Sequence, residues 1–76
     1  MIKQLLNEEI VTIKGIVILN VLVEGRNIVS HFLKDGDIIE YIRDSNMIVI
    51  NNAKTFIHNI RYIEQYTDNS YNIHIK

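Results

Sequence analysis

Three histidines, His31, His58 and His74, are the side chains with the widest chemical repertoire in this sequence. A metal site needs ligands that converge from a rigid frame, and at least one pair usually lies close together in the chain. The three histidines are far apart, and the sequence has no cysteine that could add a thiolate ligand. The spacing therefore predicts no metal site and indicates imidazoles that lie on strand surfaces or make an ordinary hydrogen bond.

Asp35-Gly36-Asp37 matches the first three positions of a calcium-binding loop. Such a loop closes with a glutamate, and the corresponding residue here is Asn46. The segment is better explained as a turn. Acid–base catalysis needs paired carboxylates with shifted pKa values, and solvent at turns is expected to keep the pKa values ordinary. This expectation covers the acids of the region: Asp35, Asp37, Glu40 and Asp44.

Nucleophilic and phosphate-binding motifs are also missing from the sequence. The serines Ser30, Ser45 and Ser70 have no flanking glycines of the nucleophile-elbow type. The three glycines are scattered, whereas a phosphate-binding loop needs several close together. The sequence therefore predicts a protein that is not an enzyme, with no catalytic residue and no cofactor.

The C-terminal third interleaves aromatic rings with positive charge. On a strand these side chains would form either a core or subunit contact, or a surface that stacks bases and meets phosphates of single-stranded nucleic acid. The residues concerned are Lys54, Phe56, His58, Arg61, Tyr62, Tyr66, Tyr71 and Lys76.

The elements that must position these side chains are predicted to be strands. The 76 residues include sixteen isoleucines and six valines but one alanine, and β-branched residues favour pleated, half-buried surfaces. A chain of this length makes one domain, residues 1–76. The net charge of −1 gives no general attraction for polyanions.

Turn signals recur about every ten residues, as in small all-β proteins. We expect an all-β or mostly β barrel or sandwich of about five or six short antiparallel strands, with a short N-terminal helix over residues 1–7 as an alternative to a loose arm. Glu24-Gly25, Asp35-Gly36 and Asn51-Asn52 are the clearest turn candidates. The predicted strands are 10–14, 16–23, 27–32, 38–42, 47–50 and 71–75.

Residues 55–66 fit two patterns. A strand would place Phe56, His58, Ile60, Tyr62, Glu64 and Tyr66 on one face; a helix would instead align Phe56, Ile60 and Ile63. The β-branched and aromatic content favours the strand.

Residues 16–23 are apolar on both strand faces apart from Asn20, which implies burial on both sides. A domain this small rarely covers both faces of a strand by itself, so a second subunit is expected to cover one of them. The sequence therefore predicts a homo-oligomer. The longest apolar run of the sequence is far too short to span a bilayer. We therefore expect a cytoplasmic protein that does not contact membranes.

Two families share local sequence with the middle of the chain. Segments 20–25, 30–32 and 34–39 resemble the strand and turn order of the tryptophan-activated RNA-binding attenuation protein, a β-rich ring that wraps single-stranded RNA. The Lys-x-Arg strand that reads RNA in that family falls near 47–51, where this sequence has neither residue. Segments 24–26 and 33–41 are similar to swapped-hairpin transition-state regulators and antitoxins, which bind DNA as dimers.

These features favour a small non-enzymatic regulatory or inhibitory protein that binds another protein as a β-rich homo-oligomer. The isoleucine and asparagine content suggests an AT-rich coding bias, which would fit a phage or mobile element. One alternative is an oligomeric single-stranded RNA or DNA binder, and another is a small structural or assembly subunit. Tyrosine and arginine often anchor interfaces, so the expected partner-binding residues are Arg43, Arg61, Tyr62 and Tyr66.

Overall fold

The computed structural model describes residues 10–52 and 55–76 and confirms a mostly β architecture. These residues form eight strand segments where about five or six were expected, and residues 55–66, predicted as one segment, contribute two of them. The predicted N-terminal helix lies outside the described residues. The strands are β1 Ile10–Thr12, β2 Val17–Val23, β3 Arg26–Leu33, β4 Ile38–Ile42, β5 Met47–Ile50, β6 Thr55–Ile57, β7 Ile60–Thr67 and β8 Ser70–Ile75, with a 3-10 turn at Arg43–Ser45 between β4 and β5.

Two four-stranded sheets make up the fold. The first sheet has the order β1-β4-β5-β6 and the second has the order β3-β2-β8-β7. All neighbours are antiparallel except β2 and β8, which run parallel from Ile18↔Ser70 to Val23↔Ile75. The expectation of antiparallel strands is therefore wrong for this pair. A parallel pair needs a long crossover, and here three strands of the first sheet, β4, β5 and β6, lie between β2 and β8 along the chain.

The hydrophobic core lies between the two sheets. Alternate residues of β2, Val17, Leu19 and Val21, are buried, as expected for a strand with one face on the core. Their neighbours Ile18 and Leu22 point to the outer face and are half-buried. The core cluster comprises Val11, Ile13, Val17, Leu19, Val21, Leu33, Ile39, Ile48, Ile50, Ile57, Ile60, Tyr71 and Ile73.

The apolar character of β2 follows in part from its central place in the second sheet. It pairs with β3 on one side and β8 on the other, and its inner face packs in the core. Its apolar residues Ile18, Leu22 and Val23 are left half-buried. Self-association stays a prediction. The exposed apolar side chains that a second subunit would cover lie on β3 and not on β2.

Turns form at the predicted dipeptides. Glu24 and Gly25 form the two-residue hairpin loop that joins β2 to β3. Their φ values of 50° and 78° place both residues in the left-handed region. Asn51 and Asn52 also have positive φ, at 51° and 56°. The turn at Asp35-Gly36 forms as well, but it leads from β3 in the second sheet to β4 in the first and is not a hairpin.

Residues 55–66 are β-structure, so the helical alternative is wrong. The segment is not one continuous strand, because it bends at His58 and Asn59 between β6 and β7, where Asn59 has a φ of 57°. A register shift follows between Ile60 and Tyr62. Ile60 is consequently buried while Tyr62 is exposed, so these two residues do not share a face as the alternation predicted.

Candidate functional site

A row of polar side chains crosses the outer face of the second sheet from edge to edge. Ser30 pairs with Asn20, Asn20 with Asn72, and Asn72 with Glu64, so one residue from each of the four strands lies in the same row. Polar residues at these positions are expected, because the opposite face of the same strands packs in the core. We call this row, together with Asn27 and His74, the outer-face network.

The hydrogen bonds of the outer-face network run in one direction. The Ser30 hydroxyl donates to Asn20 Oδ1 at 2.7 Å, and Asn20 Nδ2 donates to Asn72 Oδ1 at 3.1 Å. Asn72 Nδ2 then donates to Glu64 Oε1 over a longer distance of 3.5 Å, and His74 Nε2 reaches the same oxygen at 2.6 Å. Each donor points toward the carboxylate, so the bonds polarise one another.

Glu64 is the acceptor at the end of this row of hydrogen bonds, and the pKa of its carboxyl is lowered. The hydrogen bond from His74 is the largest cause that lowers the pKa of the Glu64 carboxyl. The bond from Asn72 adds to it, and desolvation opposes both. A carboxylate that is stabilised in its charged form is a weak general base. The arrangement therefore suits positioning rather than proton transfer.

The ring of Tyr62 lies on the imidazole that Glu64 holds. The ring centroids of Tyr62 and His74 are 4.2 Å apart with an interplanar angle of 13°. Tyr62 is nevertheless 55% exposed, so the stack fixes the ring while leaving surface open to a partner. A side chain that is already ordered loses less conformational entropy on binding, which favours its use as an anchor.

Three of the four predicted partner-binding residues lie on β7, and all four are exposed. Register shifts between Ile60 and Tyr62 and between Gln65 and Thr67 make Arg61 and Tyr66 the bulge residues at the two ends of a regular run. Bulges re-aim side chains and often occur at functional edges. We call Arg61, Tyr62 and Tyr66 the β7 surface.

Arg43 lies in a different place. It belongs to the 3-10 turn between β4 and β5 and lines a depression formed by residues 40–44, to which no residue of β7 contributes. The structure therefore brings Arg61, Tyr62 and Tyr66 onto one strand and leaves Arg43 on the other sheet. Partner contact by these four residues stays a prediction.

The other edge of the second sheet has a different surface. Ile28, Val29 and Phe32 of β3 are exposed, and Phe32, at 73%, is the most exposed large apolar side chain among residues 10–52 and 55–76. Beside the edge, Ile28 and Val29 of β3 and Phe56 of β6 border a depression of about 230 Å³. The depression is also lined by Val21, His31, Ile57, His58, Asn59 and Ile75.

The aromatic and basic residues of the C-terminal third do not form one surface. Tyr71 is buried in the core, whereas Tyr62 and Tyr66 belong to the exposed β7 surface. Phe56 and His58 stack at 5.7 Å beside the depression at β3. Lys54 lies outside the described residues.

The chemistry of the remaining candidates is structural. Asp35 Oδ1 accepts the backbone N–H of Gly15, and Asp37 Oδ2 accepts that of Lys34, as expected for a turn rather than a calcium loop. The expectation of ordinary pKa values is wrong for Asp37: the Lys34 N–H, followed by the Asn51 amide, lowers the pKa of its carboxyl. Within the described ranges, histidines and carboxylates form no group of three that could bind a metal.

Sequence reasoning missed the outer-face network. A signal was present in Asn20, which interrupts the apolar run 16–23 at a central position. A polar residue there needs polar neighbours on both adjacent strands, and Ser30 and Asn72 supply them. Which residues those would be depends on the parallel pairing of β2 with β8.

Comparison of the chain with protein-family models, curated proteins and solved structures finds no match. In residues 10–52 and 55–76, no helix is long and apolar enough to cross a membrane.

Proposed function

We propose that this chain is a small non-enzymatic regulatory or inhibitory protein that binds another protein through the β7 surface. The observation that best supports the proposal is the Tyr62 ring, which is stacked on His74 and still 55% exposed. Tyr66, 68% exposed, lies on the same strand and offers a second ring. Tyrosine and arginine supply large contact area with a polar end, which is typical of residues that dominate binding energy.

Electrostatics favour a protein partner over single-stranded nucleic acid. An exposed ring can stack on a base, but the Glu64 carboxylate accepts a hydrogen bond from the imidazole beneath Tyr62. The ionised Glu64 carboxylate would repel a nearby phosphate. The net charge of −1 also gives no long-range attraction for a polyanion.

The proposal includes self-association, a cytoplasmic location and a phage or mobile-element origin. Exposed apolar side chains on β3 support self-association, because a soluble monomer rarely leaves such a patch open. A chain without cysteine needs no oxidising compartment to fold, in keeping with the cytoplasm. The isoleucine and asparagine content is the sole support for the origin.

Paired variants of the β7 surface test the binding site. Tyr62→Ala and Arg61→Ala are expected to abolish retention of the partner from a native-host lysate while the melting temperature changes little, since both side chains are exposed. The matched control is Phe56→Ala, which removes an exposed ring on the other sheet and should leave retention intact. Equal retention by Tyr62→Ala and the native chain would contradict the proposal, as would loss in the control.

Filter binding separates the alternatives. If the partner is a protein, the chain needs no phosphate contacts. We therefore expect it to retain no uridine oligonucleotide on the filter at any salt concentration. Retention that falls steeply with salt and is lost in Tyr62→Ala would instead establish the nucleic-acid alternative. Electron microscopy of extended assemblies would establish a structural subunit.

A further inference from the structure

The second sheet ends at β3 in an open edge. Among the described residues, no strand pairs with the side of β3 that faces away from β2. The strand has eight residues, and Arg26 is its sole permanently charged side chain. Natural edge strands are normally shortened, charged, bulged or covered, because an open apolar edge pairs with other chains.

A bulge protects only one end of β3. The register shift between Val21 and Leu22 leaves Ile28 as the extra residue, while Val17↔Leu33 to Val21↔Val29 is a continuous ladder. The free side of Val29–Leu33 is therefore regular and can accept another strand. Apolar groups flank it on both faces: Phe32 lies on the outer face, and the depression with Val29 and Phe56 lies on the inner side.

We propose that two copies of this chain associate through β3, each strand pairing antiparallel with its counterpart across a two-fold axis. The two second sheets then form one continuous sheet, and each copy covers the other's exposed Phe32 and inner depression. An antiparallel pair of identical strands is a self-complementary interface that closes after two subunits. This dimer is the self-association that the proposed function includes, and it forms through β3 without the β7 surface.

Charge favours a second copy as the occupant of this edge. Antiparallel pairing places the two Arg26 side chains at opposite ends of the paired strands. Each Arg26 then approaches the end of the partner strand that leads into Lys34, Asp35 and Asp37, a turn whose formal charges sum to −1. The same symmetry puts no two permanent charges directly opposite each other within the regular run.

The exposed apolar side chains on and beside β3 supply part of the area that a small dimer needs to bury. Specific interfaces bury about 800 Å² per partner, about one sixth of the 5129 Å² that this chain exposes. Phe32 and Phe56 are 73% and 45% exposed, and at roughly 200 Å² for each residue they present about 240 Å² together. Ile28, Val29 and the unpaired backbone of β3 lie next to them and add to this area.

Symmetry also predicts which residue lies on the two-fold axis. Directly opposed residues of a sheet must point to the same face, and the regular run Val29–Leu33 has His31 at its middle. Pairing over the whole run therefore sets His31 opposite its own copy and Phe32 opposite the partner copy's Ser30. Opposed Cα atoms in an antiparallel pair are about 4.5 to 5.5 Å apart, within reach of a disulfide.

Sedimentation equilibrium of the full chain at neutral pH tests the proposal. The native chain is expected to be a dimer at micromolar concentration, and Phe32→Lys should raise the dimer Kd about tenfold or more, because it sets a charge in the centre of the interface. The matched control Tyr66→Lys replaces a similarly exposed ring on the opposite edge and should leave the dimer Kd unchanged. A monomeric native chain, or equal Kd values for Phe32→Lys and the native chain, would overturn the proposal.

Cysteine cross-linking locates the interface independently, since the sequence has no native cysteine. Single variants Val29→Cys, Ser30→Cys and His31→Cys are compared under mild oxidation with Gln65→Cys on β7, each checked for a native-like melt. A disulfide-linked dimer from one β3 position, expected at His31, supports the pairing. Cross-linking at Gln65 with none on β3 would overturn it. A monomer that still retains its partner through Tyr62 would refute the dimer and leave the β7 surface standing.

Discussion

The two edges of the second sheet have the same strand length and opposite surface chemistry. β3 and β7 each have eight residues, and each pairs with one neighbour. β7 has bulges at both ends of a four-residue regular run and bears Arg61 and Glu64, whereas β3 has one bulge and a five-residue regular run that includes Phe32. The backbone of β7 is therefore protected from strand addition, and its side chains are free for recognition.

The difference shows how one small sheet can offer two kinds of interface. An edge recognised through its backbone needs regular geometry and little charge, which β3 has. An edge recognised through side chains gains from bulges that turn tyrosine and arginine outward, which β7 has. We therefore expect that changes at one edge leave the other intact unless they disturb the core or the outer-face network that both edges share.

The largest expected effect comes from the shared core. Ile73 is fully buried on β8 and pairs with Val21 on one side and Ile63 on the other. Ile73→Ala should lower the free energy of unfolding by about 2–5 kcal/mol and weaken both interfaces together, since truncation leaves a cavity. Urea denaturation measures the first effect and the two binding assays the second.

Ile75→Val is the conservative comparison, because Ile75 is half-buried at the end of the same strand. It should cost about 1 kcal/mol or less. If Ile73→Ala removed dimerisation but left partner binding by β7 intact, the two edges would not depend on one shared core.

A smaller effect is expected at the centre of the outer-face network. Asn20 links β3 to β8, because its carboxamide accepts from Ser30 and donates to Asn72. Asn20→Ala should lower the free energy of unfolding by about 1–3 kcal/mol, since both neighbours lose a partner in a half-buried row. Thermal denaturation checks the stability.

Asn27→Ala is the control for the network, because Asn27 is exposed and donates to Asn20 and Ser30 from the rim. It should change stability by less than about 1 kcal/mol. Equal destabilisation by the two variants would show that the row contributes through general polarity and not through the bonds of Asn20.

Local features of the fold were predictable from the sequence, and pairing between distant segments was not. Glu24-Gly25 and Asn51-Asn52 act through backbone preferences of two residues, so their turns could be located directly. The parallel contact of β2 with β8 joins residues such as Ile18 and Ser70 across most of the chain, and turn chemistry contains no information about it.

In the candidate site, too, some features were predictable from the sequence and others were not. The types of Arg61, Tyr62 and Tyr66 indicated an exposed recognition surface, and the structure places all three on β7 in exposed positions. The bulges that orient them, the burial of Ile60 and the support of Tyr62 by His74 depend on pairing with β8. The fold class therefore followed from composition and turns, while the site geometry needed the register.

The smallest expected effect concerns acid pH and separates the two edges once more. The pKa of Glu64 is lowered by His74 near β7, and the pKa of Asp37 is lowered by the Lys34 N–H at the turn after β3. A carboxyl whose folded pKa is depressed stabilises the native state above its unfolded pKa, and this stability is lost as pH falls through the folded pKa. Both contributions should therefore be complete near neutrality, begin to fall below about pH 4, and disappear once the pH is below the lowered folded pKa.

Glu64→Gln and Asp37→Asn test this assignment when melting temperatures are followed from neutral to acid pH. Each variant should melt slightly below the native chain at neutral pH, and the gap should close as pH falls because the native carboxylate is then protonated. Glu64→Gln should also weaken partner binding through Tyr62, since His74 loses its ionic acceptor, whereas Asp37→Asn should not. If the difference in melting temperature between a variant and the native chain widened toward acid pH, the carboxylate of that residue would not stabilise the fold. If Glu64→Gln bound the partner as the native chain does, the Tyr62 ring would be held without the Glu64 carboxylate.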